Sequence, residues 1–139
     1  MTLSQFINAI GRICLEQKNV RSYGTGDLYA FMASPEIKYS VMYTTQNQHQ
    51  RVGDFDRYSI NLFYMDRNMN IDGDNALQIQ SIGKEVIDNV IQTFCEEYDS
   101  EVYGTILYQS FIQAHPDMVS GMYAVVTLEV PVDAICAEY

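Results

Sequence analysis
The residues with chemical potential in this chain are two histidines, three cysteines and a scatter of carboxylates, and their spacing builds none of them into a familiar catalytic set. His49 lies in the polar stretch Asn47–Asp54 between Gln48 and Gln50, and His115 precedes Pro116 in a second polar connection. Neither has a ligand or an acid–base partner at a useful spacing, so both read as solvated loop histidines. Asn70-x-Asp72-x-Asp74 opens like a calcium loop, but Asn75 stands where such a loop needs glycine and Ser81 where it needs a bidentate glutamate. Capping of the helix that follows is the better reading, because short polar side chains at a helix start accept bonds from unpaired N–H groups. Gly24-x-Gly26 lacks the glycine and lysine that would complete a nucleotide-binding loop, and GxSxG, HExxH and SxxK motifs do not occur. Glu96, Glu97, Asp99 and Glu101 form an acidic run at a helix end, which reads as a solvated face. The residues therefore assign no catalytic site, no cofactor and no metal.

The 18 acidic and 8 basic residues leave a net charge of −10, which argues against a surface that grips phosphate. It is compatible with a conduit, since an acidic lining repels a passing polyanion. Cys14, Cys95 and Cys136 cannot all pair within one chain. Cys14 and Cys95 fall among apolar helix positions, as small core thiols do, which suggests a reducing compartment. The start, MTLSQFINAIGRICLEQ, lacks the basic lead and unbroken apolar run of a signal peptide, and no stretch reaches the length of a membrane span.

The elements that would position these residues read as follows, over 139 residues taken as a single α+β domain, 1–139. Leu3, Phe6, Ile7, Ile10, Ile13 and Cys14 make one face of a helix over Thr2–Gln17, which Thr2 or Ser4 caps. Residues 18–35 form a turn-rich connector, with a short apolar piece at Leu28–Met32 that could add a strand near residue 29. Glu36–Gln46 and Asp56–Arg67 alternate as strands, joined by the polar loop Asn47–Asp54, which is long for a hairpin. Ile79, Ile82, Val86, Ile87, Val90, Ile91, Phe94, Cys95 and Tyr98 define a long one-sided helix behind Asp72-Gly73-Asp74-Asn75. Val102–Gln113 and Gly121–Val132 make a closing antiparallel pair. The order is α-β-β-α-β-β, an antiparallel sheet of four or more strands with two helices packed on it.

Eleven tyrosines and no tryptophan are present, and Tyr39, Tyr43, Tyr58, Tyr64, Tyr103, Tyr108 and Tyr123 fall on strands. Tyrosine joins a large apolar body to a polar tip, which suits subunit contacts that tolerate water as well as the edge of a core. Asp66-Arg67, at the end of the second strand, reads either as an intrachain surface tie or as a contact to a neighbouring subunit.

As an ordered series, YGTGDLYAFMASPEIKYSVMYTT, DRYSINLFYMDR and DGDNALQIQSIGKEVIDNVI followed by the closing β pair resemble small neck and tail-completion proteins of crAss-like tailed bacteriophages of Bacteroidetes. The matching pieces are Gly26-Asp27, Lys38-Tyr39, Asp66-Arg67, Asn75 and Ile79–Gly83, spread over about residues 23 to 130. The resemblance implies a fold similar to tail-terminator and head–tail-joining proteins, with no catalysis and no cofactor. It further implies a virion protein, assembled in the host bacterial cytoplasm as a closed ring of this chain, twelve copies favoured over six. Its neighbours would be portal, neck or tail proteins, with DNA passing through the lumen without specific binding and no membrane involved. Repeated heterologous contacts close such a ring. The candidate contacts are the loop 47–55, the segment Asp66–Asp74 and the hairpin 113–121, with Arg51, Asp54, Asp66, Arg67, Asp72, Asp74, His115 and Asp117 as subunit-interface residues. The alternative function is a small non-enzymatic adaptor or binding protein of cellular origin.

Overall fold
A computed structural model describes residues 1–26, 38–67, 73–113 and 119–132. Helix α1 (Leu3–Glu16) starts at a capping box. The Thr2 hydroxyl accepts from the Gln5 N–H at 3.2 Å, and the Gln5 side chain accepts from the Thr2 N–H at 2.8 Å. Strands β1 (Ser22–Thr25), β2 (Val41–Val52) and β3 (Phe55–Arg67) follow, then helix α2 (Gly73–Glu97) and strands β4 (Glu101–Val102), β5 (Leu107–Gln113) and β6 (Val119–Pro131).

The sheet runs β1-β2-β3-β6, and the outer edge of β6 is shared by β5 along its first half and β4 near its end. β3 and β6 pair over the full length of both strands, from Phe55↔Pro131 to Arg67↔Val119. Both helices lie against one face. α2 crosses β3 and β6, and α1 packs between α2 and β1. Phe6, Ile10 and Ile13 of α1 meet Val86, Val90 and Phe94 of α2 over Ile60, Leu62, Val126 and Leu128, all buried. Phe94 sits edge-on to Phe6 at 5.2 Å and against Tyr98 at 4.8 Å. Burying each such side chain contributes about 1.5–3 kcal/mol, so this layer holds helices to sheet. Gly83 lets the Tyr64 ring approach α2, since a Cβ there would stand 2.9 Å from Tyr64 Cδ1.

Several expectations change. The sheet is mixed instead of antiparallel, because β1 pairs with β2 in parallel, and the order is α-β-β-β-α-β-β-β. β1 falls inside what reads as a connector; at four residues it is too short for its alternation to register. The first long strand begins at Val41 and continues to Val52, so the stretch 47–52 is strand and the hairpin turns tightly at Gly53-Asp54. Polar residues hid this, since the run Gln46–Arg51 carries no alternation of apolar side chains. Gly53 supplies the positive φ, +61°, that the turn requires. The strand expected over 102–113 breaks into β4 and β5 around Gly104 at φ +74°. The short strand expected near residue 29 lies outside the described residues.

Side chains alternate between the two sheet faces along the first part of β2 and along β3. Met42, Tyr58, Ile60, Leu62 and Tyr64 point to the helices, whereas Val41, Tyr43 and Met65 join Val119 in a second, smaller cluster on the opposite face.

Candidate assembly surface
The second sheet face carries no helix among the described residues. Its β1-side end holds the apolar cluster of Val41, Tyr43, Met65 and Val119, flanked by Phe63 stacked on Tyr123 at 4.9 Å. Towards the β2–β3 turn the same face becomes polar. Asn61 Nδ2 donates to Thr45 Oγ1 at 3.0 Å, and Asn47 Nδ2 donates to Asn61 Oδ1 at 3.0 Å. Beyond this amide ladder a cleft of about 330 Å³ is lined by Asn47, Gln48, Gln50, Arg57, Ser59, Tyr103 and Thr127. Arg57 Nε donates to Glu129 Oε2 at 2.8 Å, and its guanidinium lies 3.7 Å from the centre of the Tyr103 ring. Pairing on one side and stacking on the other fix this cation in place.

The sequence-derived candidates divide between the two ends of the sheet and do not converge. Arg51 and Asp54 stand at the β2–β3 turn. Arg51 Nε is 3.8 Å from Asp56 Oδ1 and donates to the Gly53 carbonyl at 3.4 Å, and the Asp54 carbonyl accepts from the Val132 N–H at 2.9 Å. Asp66 and Arg67 stand at the far end of β3. Asp66 Oδ1 accepts the Arg67 N–H at 2.8 Å, while the Arg67 guanidinium reaches over the Tyr39 ring at 5.3 Å. The tie between these two residues is thus a backbone bond. Asp74 falls in the first turn of α2, and Asp72, His115 and Asp117 lie outside the described residues.

His49 is a strand residue, contrary to the loop expected for it. Its Nδ1 accepts the Ser59 N–H at 3.2 Å, Nε2 faces Gln46 Oε1 at 3.2 Å, and its ring meets Tyr58 edge-on at 5.5 Å. With Nδ1 an acceptor, Nε2 carries the proton. No protein-family model and no curated protein matches the chain. Among the described residues no group of three or more His, Cys, Asp or Glu side chains could hold a metal ion, and no helix is long and apolar enough to cross a membrane.

Two further clefts went unread in the sequence. One, of about 400 Å³ at the Asp66 end, is bordered by Lys18, Arg21, Tyr39, Tyr64, Asp66 and Ile82. The other, of about 350 Å³ at the turn end, is bordered by Asp54, Phe55, Asp99, Glu101, Glu129 and Pro131. Each gathers residues from separate elements, which no local spacing could announce. The amide cleft does leave a trace, since its lining residues Ser59 and Thr127 are polar positions on strands whose opposite face is apolar.

Proposed function
We propose that this chain is a structural ring subunit of the neck or upper tail of a tailed bacteriophage, joining portal and capsid to tail and lining the DNA channel. The observation that carries this reading is the exposed apolar edge of the sheet. Both helices cover one sheet face, and the Val41, Tyr43, Met65 and Val119 cluster of the other is buried within the chain, but the outer edge of β5 has no strand partner among the described residues. Leu107 and Ile112 on that edge are 63% and 64% exposed, and Leu77 on α2 is 64% exposed. Uncovered apolar side chains beside an open strand edge suit contact with other chains. Tyr103, Tyr123 and the amide ladder give the surface the mixed apolar and polar character of a subunit interface. A net charge of −10 suits a lumen through which DNA slides. The tail-terminator-like fold, the non-catalytic role and the twelve-fold ring belong to the same proposal and rest on the sequence resemblance.

Negative-stain microscopy and native mass spectrometry of the purified chain, alone and with a portal ring, test it. Closed rings, or addition of one layer to the portal, are the expected result. A strict monomer that joins no portal-containing assembly would refute it. The amide-lined cleft favours a second reading, a small cellular adaptor that binds an extended polar segment; that protein would stay a monomer or dimer under every condition.

A further inference from the structure
Four of the eight basic residues have a carboxylate partner: Arg12 with Glu16 and Glu97, Arg51 with Asp56, Arg57 with Glu129, and Lys84 with Asp88. The other four, Lys18, Arg21, Lys38 and Arg67, have none among the described residues, and they share one end of the sheet. The Arg21 N–H donates to the Ser40 carbonyl at 2.9 Å, Ser22 Oγ donates to the Lys38 carbonyl at 2.6 Å, and Arg67 lies over Tyr39. Lys18 and Arg21 line the cleft of about 400 Å³, whose one carboxylate, Asp66, already accepts a backbone N–H.

The charge at the other end of the sheet is opposite. β3 spans roughly 40 Å from Phe55 to Arg67 at the usual rise of a strand. At its Phe55 end the cleft of about 350 Å³ is bordered by Asp54, Asp99, Glu101 and Glu129, of which only Glu129 has a cationic partner among the described residues. The two ends also match in apolar character. Ile82 is 40% exposed at the basic end, and Phe55 and Val52 are 40% and 39% exposed at the acidic end.

We propose that the basic cleft at Lys18 and Arg21 receives the acidic end of a second copy of this chain, so that copies join head to tail. The inference rests on the ring reading and specifies the contact that would build the ring. A head-to-tail contact joins two different surfaces and leaves a basic surface free at one end of the row and an acidic surface free at the other, so it propagates until it closes. It brings cations and carboxylates that have no ionic partner among the described residues together beside exposed apolar side chains, the composition of a protein contact with a charged rim. DNA is the less favoured occupant, because it would approach a molecule whose net charge is −10.

The test compares the intact protein with two double variants at exposed positions, Lys18→Glu/Arg21→Glu and Asp54→Lys/Glu101→Lys, by sedimentation and native mass spectrometry. Circular dichroism checks that both fold. The wild type is expected to associate, and to do so at least about tenfold more weakly when the Debye length is cut from about 10 Å to about 3 Å with salt. Each variant alone should be monomeric, and an equimolar mixture should associate again, since each supplies the charge the other has lost. Association that survives in either variant alone would overturn this contact and leave the ring reading standing. A monomeric wild type that still adds to a portal ring would do the same, and one that does neither would remove both. Binding of a short DNA duplex by a monomeric wild type, lost in Lys18→Glu/Arg21→Glu, would assign the basic end to DNA instead and overturn the proposal.

Discussion
Gly121 sits on β6 where β3 and β5 flank it on either side, opposite Met65 and Phe111. Replacing it with alanine puts a methyl group against the Tyr64 carbonyl oxygen, closer than real Cβ atoms come, and 2.8 Å from Phe111 Cζ. The Phe111 ring can turn, but the Tyr64 carbonyl belongs to the central β3–β6 ladder and moves only if that ladder opens. Overpacking of this kind costs about 1–3 kcal/mol. Loosening one ladder bond adds about 1 kcal/mol. The reduced freedom of the unfolded chain returns about 0.4–1 kcal/mol. The net loss is about 2 kcal/mol, which for a chain of this size lowers the melting temperature by roughly 8 °C. Gly83→Ala is the control. Its new methyl meets only the Tyr64 side chain, at 2.9 Å from Cδ1, and replacing glycine inside a helix gains about 0.8–1 kcal/mol. Its net change should stay within about 1 kcal/mol. Thermal and urea unfolding followed by circular dichroism decide the matter. A Gly121→Ala protein as stable as wild type, or more stable than Gly83→Ala, would refute the reasoning that backbone clashes outrank side-chain clashes here.

Ser120→Ala should leave stability unchanged or raise it by up to about 1 kcal/mol in the same assay, because the buried Ser120 hydroxyl has no hydrogen-bond partner among the described residues. Burial pushes the phenols of Tyr23 and Tyr108 up to about 12, Tyr108 also through its hydrogen bond to Asp88. The folded chain therefore holds these protons more tightly than the unfolded chain does. The stability they contribute is intact below the ordinary phenol value of 10 and is lost as pH rises from there towards 12. Urea midpoints should fall across that range while phenolate absorbance rises, and a flat profile would count against it. Burial raises both the Cys14 and Cys95 thiols; Cys14 is fully enclosed and Cys95 half-buried. Alkylation followed by peptide mass spectrometry should modify Cys95 before Cys14, which reacts only at the rate of unfolding.

The helices and the three long strands were legible because one force wrote them. Phe6, Ile10 and Ile13, or Val86, Val90 and Phe94, recur at helical spacing since each must reach the same buried layer. Tyr58, Ile60, Leu62 and Tyr64 alternate for the same reason. Legibility ended where burial ended. Residues 49–52 are strand because their backbone pairs with 55–58, and backbone pairing leaves little mark on side-chain type where, as at Gln50↔Arg57 and Arg51↔Asp56, both partners are polar. β1 earns its place by parallel pairing with Val41–Thr44, a contact between segments that the sequence separates. The site was less legible still. Arg51, Asp54, Asp66 and Arg67 are legible as ionic residues in or beside connections, but their division between two ends of opposite charge depends on Lys18, Arg21, Asp99 and Glu101, which other elements deliver.

The register shift between Gln46 and His49 makes β2 a strand with two parities. Up to Gln46, even-numbered residues face the helices; from His49 onward, odd-numbered ones do, so that His49 reaches Tyr58 and Arg51 reaches Asp56. The extra residue works as a slack link in the hairpin. Losing one residue there would bring the two halves of β2 into a common phase and leave β3 untouched. Losing one residue anywhere in β3, which runs without a shift against β6, would turn a core strand inside out from that point on. Changes in chain length along this lineage should therefore accumulate in β2 at 47–48 and be purged from β3, with the hairpin tip free to vary its reach towards whatever it touches.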